Sequence, residues 1–501
     1  MATPTLVNPP TVISLAESTT GWTGDSFSLE PDIKIQGSNS IACVQTNTGN
    51  NDVYYTGFTA ADLSAVHLRL WFNIAYVGDL ASSNQIQVFI SDGTNTAYWV
   101  IKDPGDYAGG WKQAVVYTGD TPYSGTRPTG NSTRVGMRFV TASKPRNVPA
   151  NAWFDAWYYG DGYTVTGGSS SDPITWADIA ALDAVSAYNI VSRNEGVIFL
   201  SGEINIGNGA TATYFEDVGD IVTFTDKLVS STLYSLLGQG SGCEIHMSGG
   251  VLTAAGSQTY AFDMDEANLD TLEISGKQFS KASTFILKAG QDVQNCVFDG
   301  CDQIVPTTAT FKFNTIRNFV GTDGAVLFPS DDSNISNLTF INCDNGVEYE
   351  SGSDASSPEF VAFIFDDVSG NFDVNNTSGS GVTIILSGNS NANSYNTGGS
   401  AVTFSNPKQF KFTLSPSITG YEWRLYEVTA LGSLSGAVEK DGEEDATADN
   451  QTYNYTYSSD QPIAVQIISQ PDEDYVEAIQ YFTLKNNDQD ITILLTKDDN
   501  N

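Results

Sequence analysis

The segment from Cys243 to about Phe365 repeats itself, and that repeat restricts the folds open to this chain more than any other feature. Val293-Gln-Asn-Cys296-Val-Phe298-Asp-Gly-Cys301-Asp runs in step with Ile335-Ser-Asn-Leu338-Thr-Phe340-Ile-Asn-Cys343-Asp. Between them lies a third copy, Phe311-Lys-Phe-Asn314-Thr-Ile316-Arg-Asn-Phe319. Leu269-Asp-Thr-Leu272-Glu-Ile274-Ser-Gly precedes them, and Ile245-His-Met247-Ser-Gly matches its Leu272 end. Phe360-Val-Ala-Phe363-Ile-Phe365-Asp-Asp-Val368 follows. Each copy is a short strand with apolar residues two apart, then a small or polar corner. Spacings run from 18 residues (Val293 to Phe311) to 27 (Ile245 to Leu272), near the range of solenoid coils. One such strand cannot bury its apolar face alone, so successive copies must stack and share a core. The expectation is a parallel β-helix.

The rest of the chain also reads as β. Thr, Val, Ile, Phe and Tyr outnumber good helix formers, and 501 residues allow about three domains. The net charge of −37 argues against nucleic acid or an anionic membrane as partner, because binding phosphates requires Lys and Arg to displace their counterions. Such an acidic surface also suits a saline setting, where its self-repulsion is screened. The five cysteines fit no zinc spacing, and their place in the repeat reads as packing inside a solenoid rather than disulfide bonding. Met1-Ala-Thr-Pro-Thr-Leu has neither a basic start nor an apolar run, and no apolar stretch approaches a membrane span. Synthesis in a cytoplasm without conventional export is expected.

Four segments are expected. Residues 1–165 carry alternating runs such as His67-Leu-Arg-Leu-Trp71-Phe-Asn-Ile74 and Thr133-Arg-Val-Gly-Met-Arg-Phe139, which suit half-buried antiparallel strands of a jelly-roll sandwich. Residues 166–190 form a Gly/Ser linker and a short capping helix, in which Thr175-Trp-Ala-Asp178 resembles a capping box. Trp176, Ile179, Leu182 and Val185 would share one face of that helix. Residues 191–408 form the right-handed parallel β-helix. Residues 409–501 form a small sandwich, with Asp441-Gly-Glu-Glu-Asp445 in a loop.

Chemistry has thinner material. A glycan-cleaving solenoid needs two carboxylates on one face, and stacking points to Asp302 and Asp344, at equivalent repeat positions, with Asp299, Asp323, Asp331 and Asp332 nearby. A chain with 59 acidic residues yields such pairs by chance, and solvated corner positions are the simpler reading of the same residues. His67 and His246 lie in different domains, and His246 should point outward opposite Ile245 and Met247. Lys312 and Arg317 give little support for an acidic sugar. Calcium at Asp263-Met-Asp265-Glu266 or at Asp441-Gly-Glu-Glu matches no loop spacing, so no metal or cofactor is expected. Flat aromatic rings stack on sugars, which makes Tyr98, Trp99, Tyr107 and Trp111 the candidates for glycan binding.

Trp111-Lys-Gln-Ala-Val-Val-Tyr117 and Ala152-Trp-Phe-Asp155-Ala-Trp-Tyr-Tyr-Gly160-Asp-Gly-Tyr163 resemble the closing strands of galactose-binding-like jelly rolls. Tyr421-Glu-Trp423-Arg-Leu425 and the strands after it resemble transthyretin-like sandwiches. The whole architecture resembles surface proteins of tailed bacteriophages: tailspikes, tail fibres, and head fibres or capsid decorations. That resemblance implies a homotrimer on the virion surface, made in the host cytoplasm, with other virion proteins and host polysaccharide as partners. It implies a non-enzymatic structural and adhesive role, the alternative being a depolymerising tailspike that uses the paired solenoid carboxylates.

Overall fold

A computed structural model describes all residues except 1, 25, 44–47, 76–79, 81–85, 102–109, 143–151, 187, 226–234, 239, 265–268, 355–357, 367–371, 406, 449, 458–459, 469–474, 486–488 and 498–501. The fold is all-β, with Trp176–Ser186 the one α-helix among the described residues. The chain divides into two compact units, Met1–Thr310 and Phe311–Asn501.

The first unit begins with a sandwich of two antiparallel sheets. One sheet orders Trp111–Tyr117, His67–Ile74, Ala152–Tyr159, Ser40–Cys43 and Phe27–Glu30; the other is centred on Ile86–Ser91 and Arg134–Thr141. Leu70, Phe72, Val88, Met137, Phe154 and Trp157 fill the space between them. The alternation in His67–Ile74 suggests a solvated outer face, yet the strand is buried on both sides from His67 to Phe72. Its outer side chains meet the rest of the unit. Trp71 packs with Tyr158, Trp111 and Tyr188, and Arg69 donates to the carbonyls of Gly160, Asp161 and Ser201 at 3.1, 2.7 and 2.7 Å.

The strand after the sandwich, Gly162–Thr166, pairs antiparallel with Thr5–Val7 and in parallel with Glu203–Ile206 of the first coil. The helix beside it starts with the expected reciprocal cap: Asp178 N–H donates to Thr175 Oγ1 at 3.3 Å, and Thr175 N–H to Asp178 Oδ2 at 3.0 Å. Its buried face differs from expectation. Trp176, Ile179, Ala180 and Asp183 point inward, while Val185 is 84% exposed. Asp183 tolerates burial because it accepts from the Tyr163 hydroxyl and the backbone N–H groups of Asn189, Ile190 and Val191.

Each coil of the first unit contributes three strands, each paired in parallel with its counterpart one coil on. The series Val197–Leu200, Ile221–Phe224, Val251–Ala254 and Gln278–Ser280 makes one sheet. Thr213–Val218, Cys243–Ser248, Thr271–Ser275 and Asp292–Gln294 make another. Aromatic rings stack coil on coil inside: Phe262 and Phe285 have centroids 4.5 Å apart, and Phe279 and Phe298 5.3 Å. One corner repeats a left-handed residue, at Gly219, Gly249, Gly276 and Asn295, with φ of 73, 61, 65 and 55°. Glycine and asparagine tolerate this region, and the N–H groups of Gly219, Gly249 and Gly276 donate to the Ser248, Ser275 and Gln294 carbonyls of the next coil.

Within the second unit the same construction links Thr315–Arg317, Thr339–Ile341 and Ile364–Asp366, and Phe340 stacks on Phe365 at 4.8 Å. A small sandwich follows, its core formed by Phe412, Tyr421, Trp423, Leu425, Ile467 and Ile493. Asp441-Gly-Glu-Glu-Asp445, expected in a loop, lies in the edge strand Val438–Ala446. Arg424 on the neighbouring strand makes this possible by bonding Glu422, Glu439 and Glu444, and the charges blunt an edge open to unwanted pairing. All five cysteines are buried.

Candidate functional site

The sheet of Thr213–Val218, Cys243–Ser248, Thr271–Ser275 and Asp292–Gln294 carries the clearest constellation in the first unit. Alternation sends Phe215, Ile245, Met247, Leu272, Ile274 and Val293 inward and leaves the residues between them facing out. Strand register aligns Glu216 with His246, His246 with Glu273, and Glu273 with Asp292. A parallel row aligns Val218, Ser248, Ser275 and Gln294. All of these but Val218 line a groove of about 550 Å³, which crosses four coils at roughly 4.8 Å per step.

Its polar groups are connected. His246 Nδ1 lies 3.2 Å from Glu273 Oε2, and Nε2 lies 3.8 Å from Glu244 Oε2. Gln294 donates to both oxygens of Asp292 at 2.7 and 2.9 Å. Beneath the groove runs a buried staple. Lys277 donates to Asp217 Oδ2 at 2.8 Å and to the Gly249 carbonyl at 3.2 Å, and Trp176 Nε1 donates to the same Asp217 oxygen at 3.0 Å. Lys277 and Asp217 are each 1% exposed, so three successive coils are tied at the corner that supports the site. The arrangement offers a ladder of hydrogen-bond acceptors and donors with a fixed step, and carboxylates on neighbouring coils.

The residues expected from the sequence lie elsewhere. Trp99 is buried in the sandwich core and its indole donates to the Asp120 carbonyl at 2.9 Å, so it offers no face to a sugar. The Tyr98 ring lies 4.0 Å from the Arg138 guanidinium, which also donates to its hydroxyl at 2.7 Å; ring face and polar tip are both engaged. Trp111 is half-buried against the Trp71 cluster. Tyr107 falls outside the described residues.

Among the acids, Asp299 and Asp302 belong to the first unit and Asp323 and Asp344 to the second. Asp302 and Asp323 are exposed, and partial burial raises the Asp302 carboxyl. Asp344 accepts from Gly321 N–H at 3.2 Å. Asp331 accepts from Ser333 N–H at 3.0 Å, and Asp332 from Glu359 N–H at 2.6 Å. These corner carboxylates satisfy backbone donors, a structural task. Of the calcium candidates, Asp265 and Glu266 lie outside the described residues. The row Glu216, His246, Glu273 and Asp292 is not among the expected site residues, although aligning Ile245-His-Met247 with Leu272-Glu-Ile274 already places His246 over Glu273.

No family model matches this sequence, and no curated protein matches it. Among solved structures, one similar chain is the CBM22-1 xylan-binding domain of Xyn10C from Paenibacillus barcinonensis, 16% identical, covering 31% of this chain and 96% of that one with a TM-score of 0.20. Another is the catalytic domain of a GH87 α-1,3-glucanase in complex with tetrasaccharides, 10% identical, covering 81% of this chain and 97% of that one with a TM-score of 0.20. At that TM-score neither bears on what this chain does.

Proposed function

We propose that this chain is a non-enzymatic structural protein of a tailed bacteriophage particle, a surface spike, fibre or capsid decoration, which contacts host-surface glycans through the groove on its coil face. One observation carries the glycan part: hydrogen-bonding side chains recur in register on four coils along a single groove. A polymer with a repeating unit can lie along a ladder with a repeating step. The particle setting, and assembly as a homotrimer, rest on the sandwich–coil–sandwich order read from the sequence. In gels containing polysaccharide extracted from the host strain, the protein should be retarded, and a Glu216→Gln/Glu273→Gln double variant should run freely. Equal mobility of both proteins would remove the groove from the reading. Mass spectrometry of purified particles must also find the chain; its absence would remove the particle.

A second reading, hydrolysis of the bound glycan, is favoured by one feature of the same groove. Glu273 and Asp292 are in register on adjacent coils, a step of roughly 4.8 Å beside the ~5–5.5 Å between the carboxyls of retaining glycosidases. This reading predicts new reducing ends in digests of the host polysaccharide, abolished by Asp292→Asn. Intact polysaccharide after prolonged incubation would leave binding alone.

A further inference from the structure

A second cavity lies in the first unit, where the end of the sandwich meets the first coil. It holds about 350 Å³, the small end of the range for ligand pockets. Its walls are the segment from Asn8 to Thr11, the turn after Tyr159, and Glu203 with Asn205. We propose that this crevice binds the terminal residue of a neutral saccharide, at a site separate from the coil-face groove.

Two carboxylates face the crevice, and each is held from behind by a neutral donor. Asp161 is the more open, its side chain 59% exposed. Its Oδ1 lies 2.5 Å from His67 Nδ1. His67 is only 4% exposed and stacks on Tyr117 with centroids 4.6 Å apart. Burial lowers the imidazole pKa, so the ring stays neutral, while its hydrogen bond lowers that of Asp161 and keeps the carboxylate ionised. A neutral ring can donate from Nδ1 and thereby fixes the carboxylate plane. The His67 backbone N–H also bonds this carboxylate, so ring and backbone of one residue hold it together.

Glu203 is prepared in the same way. Asn205 Nδ2 donates to Oε1 at 3.1 Å, and the Ser235 hydroxyl to Oε2 at 3.3 Å. The backbone locks the two acids together, since Glu203 N–H donates to the Asp161 carbonyl at 3.1 Å. Arg69 reinforces the turn by bonding the carbonyls of Gly160 and Asp161. At Gly160, with φ of 142°, an added Cβ would stand 3.1 Å from Pro10 Cα, so a bare backbone lets the N-terminal segment close the far wall.

This assembly has a specific chemical preference. Preorganised carboxylate oxygens accept from adjacent hydroxyls of one sugar ring without first paying an ordering cost. Half-buried Tyr159 supplies an apolar face for the C–H side of that ring. No lysine or arginine lines the crevice among the described residues, so a uronic acid or a phosphorylated sugar would meet only like charge. The small volume suits the end of a glycan rather than its middle.

The test uses the full chain in saturation-transfer NMR, with the methyl glycosides of glucose, galactose, mannose and N-acetylglucosamine as probes and methyl glucuronide as the acidic control. At least one neutral glycoside should receive saturation and the glucuronide none. The signal should fall at least five-fold in Asp161→Asn and in Tyr159→Ala and persist in the groove variant Glu273→Gln/Asp292→Asn. A wild-type protein that saturates none of the four, or a signal lost only in the groove variant, would overturn the proposal. A crystal soaked in the saturating glycoside gives a readout independent of variant folding. Density for the sugar over Tyr159 supports the site, and density confined to the coil face refutes it while leaving the groove reading intact.

Discussion

At the scale of single residues, two buried groups set up measurable consequences. Asp155 is fully buried in the sandwich, its Oδ2 accepting from the N–H groups of Ile35 and Gln36 at 2.7 and 3.1 Å. Burial outweighs those bonds and pushes its carboxyl up to about 6. A folded pKa above the unfolded one means that the native state holds its proton more tightly, so this residue costs stability at neutral pH and the cost fades as pH falls through 6 towards 4. The shift from 3.8 to about 6 corresponds to a few kcal/mol at most, on the order of 1.4 per pH unit. Asp155→Asn, which still offers an oxygen to both N–H groups, should raise the melting temperature at pH 8 relative to wild type, and the gap should shrink by pH 4.5. A gap that does not change with pH would mean that Asp155 titrates normally. The Lys277–Asp217 pair works by the opposite logic. Lys277→Met strands a buried carboxylate, and a loss of about 3–5 kcal/mol is expected for such a break. Adding Asp217→Leu should restore much of that loss in calorimetry. If the double variant is no better than the single one, the pair is not what holds the corner.

At the scale of elements, the corners decide how strictly the coils stack. Gly276 and Gly250 both adopt left-handed backbone, but a Cβ at Gly276 would find only Gly249 N at 3.9 Å, while one at Gly250 would stand 2.2 Å from the Asp220 carbonyl oxygen. Gly276→Ala should therefore cost only the conformational strain, about 1–2 kcal/mol, whereas Gly250→Ala must also displace the neighbouring coil's backbone and should cost clearly more. Chemical denaturation that ranks the two equally would refute the stacked-corner description. Elements are also where the sequence is most readable. Phe298 and Phe340 mark inward positions of the repeat because ring stacking demands large apolar residues there. The outward row is hard to see in the sequence because solvent-facing positions vary freely, so Glu216, His246, Glu273 and Asp292 mix three residue types. Apolarity alone places Val185 inward, whereas the buried position belongs to Asp183, whose four hydrogen-bond donors come from segments distant in the chain or beyond the helix end. Asp441 to Asp445 read as a loop because Arg424, the residue that makes a strand of them tolerable, is not adjacent in sequence.

At the scale of the whole molecule, net charge sets the response to salt. A net charge of −37 imposes self-repulsion on any compact state, and the ion pairs that offset it among the described residues are mostly partly exposed, as with Arg424 and its three glutamates. Exposed pairs of this kind contribute little individually. Raising NaCl from 0.1 to 1 M shortens the screening length from about 10 Å to about 3 Å, which weakens both the attraction and the more numerous repulsions. Repulsion should win, so the melting temperature should climb as NaCl is added, in wild type and in the groove double variant Glu273→Gln/Asp292→Asn alike. The same field acts on ligands before they reach a groove or a crevice. Retardation by a neutral polysaccharide should therefore hold steady over this range of salt, while any retardation by an acidic one should appear only at the high end. A melting temperature that falls with salt would show that attractive pairs dominate after all, and retardation by a neutral glycan that weakens with salt would mean that charge, rather than hydrogen bonding along the coil face, carries the contact.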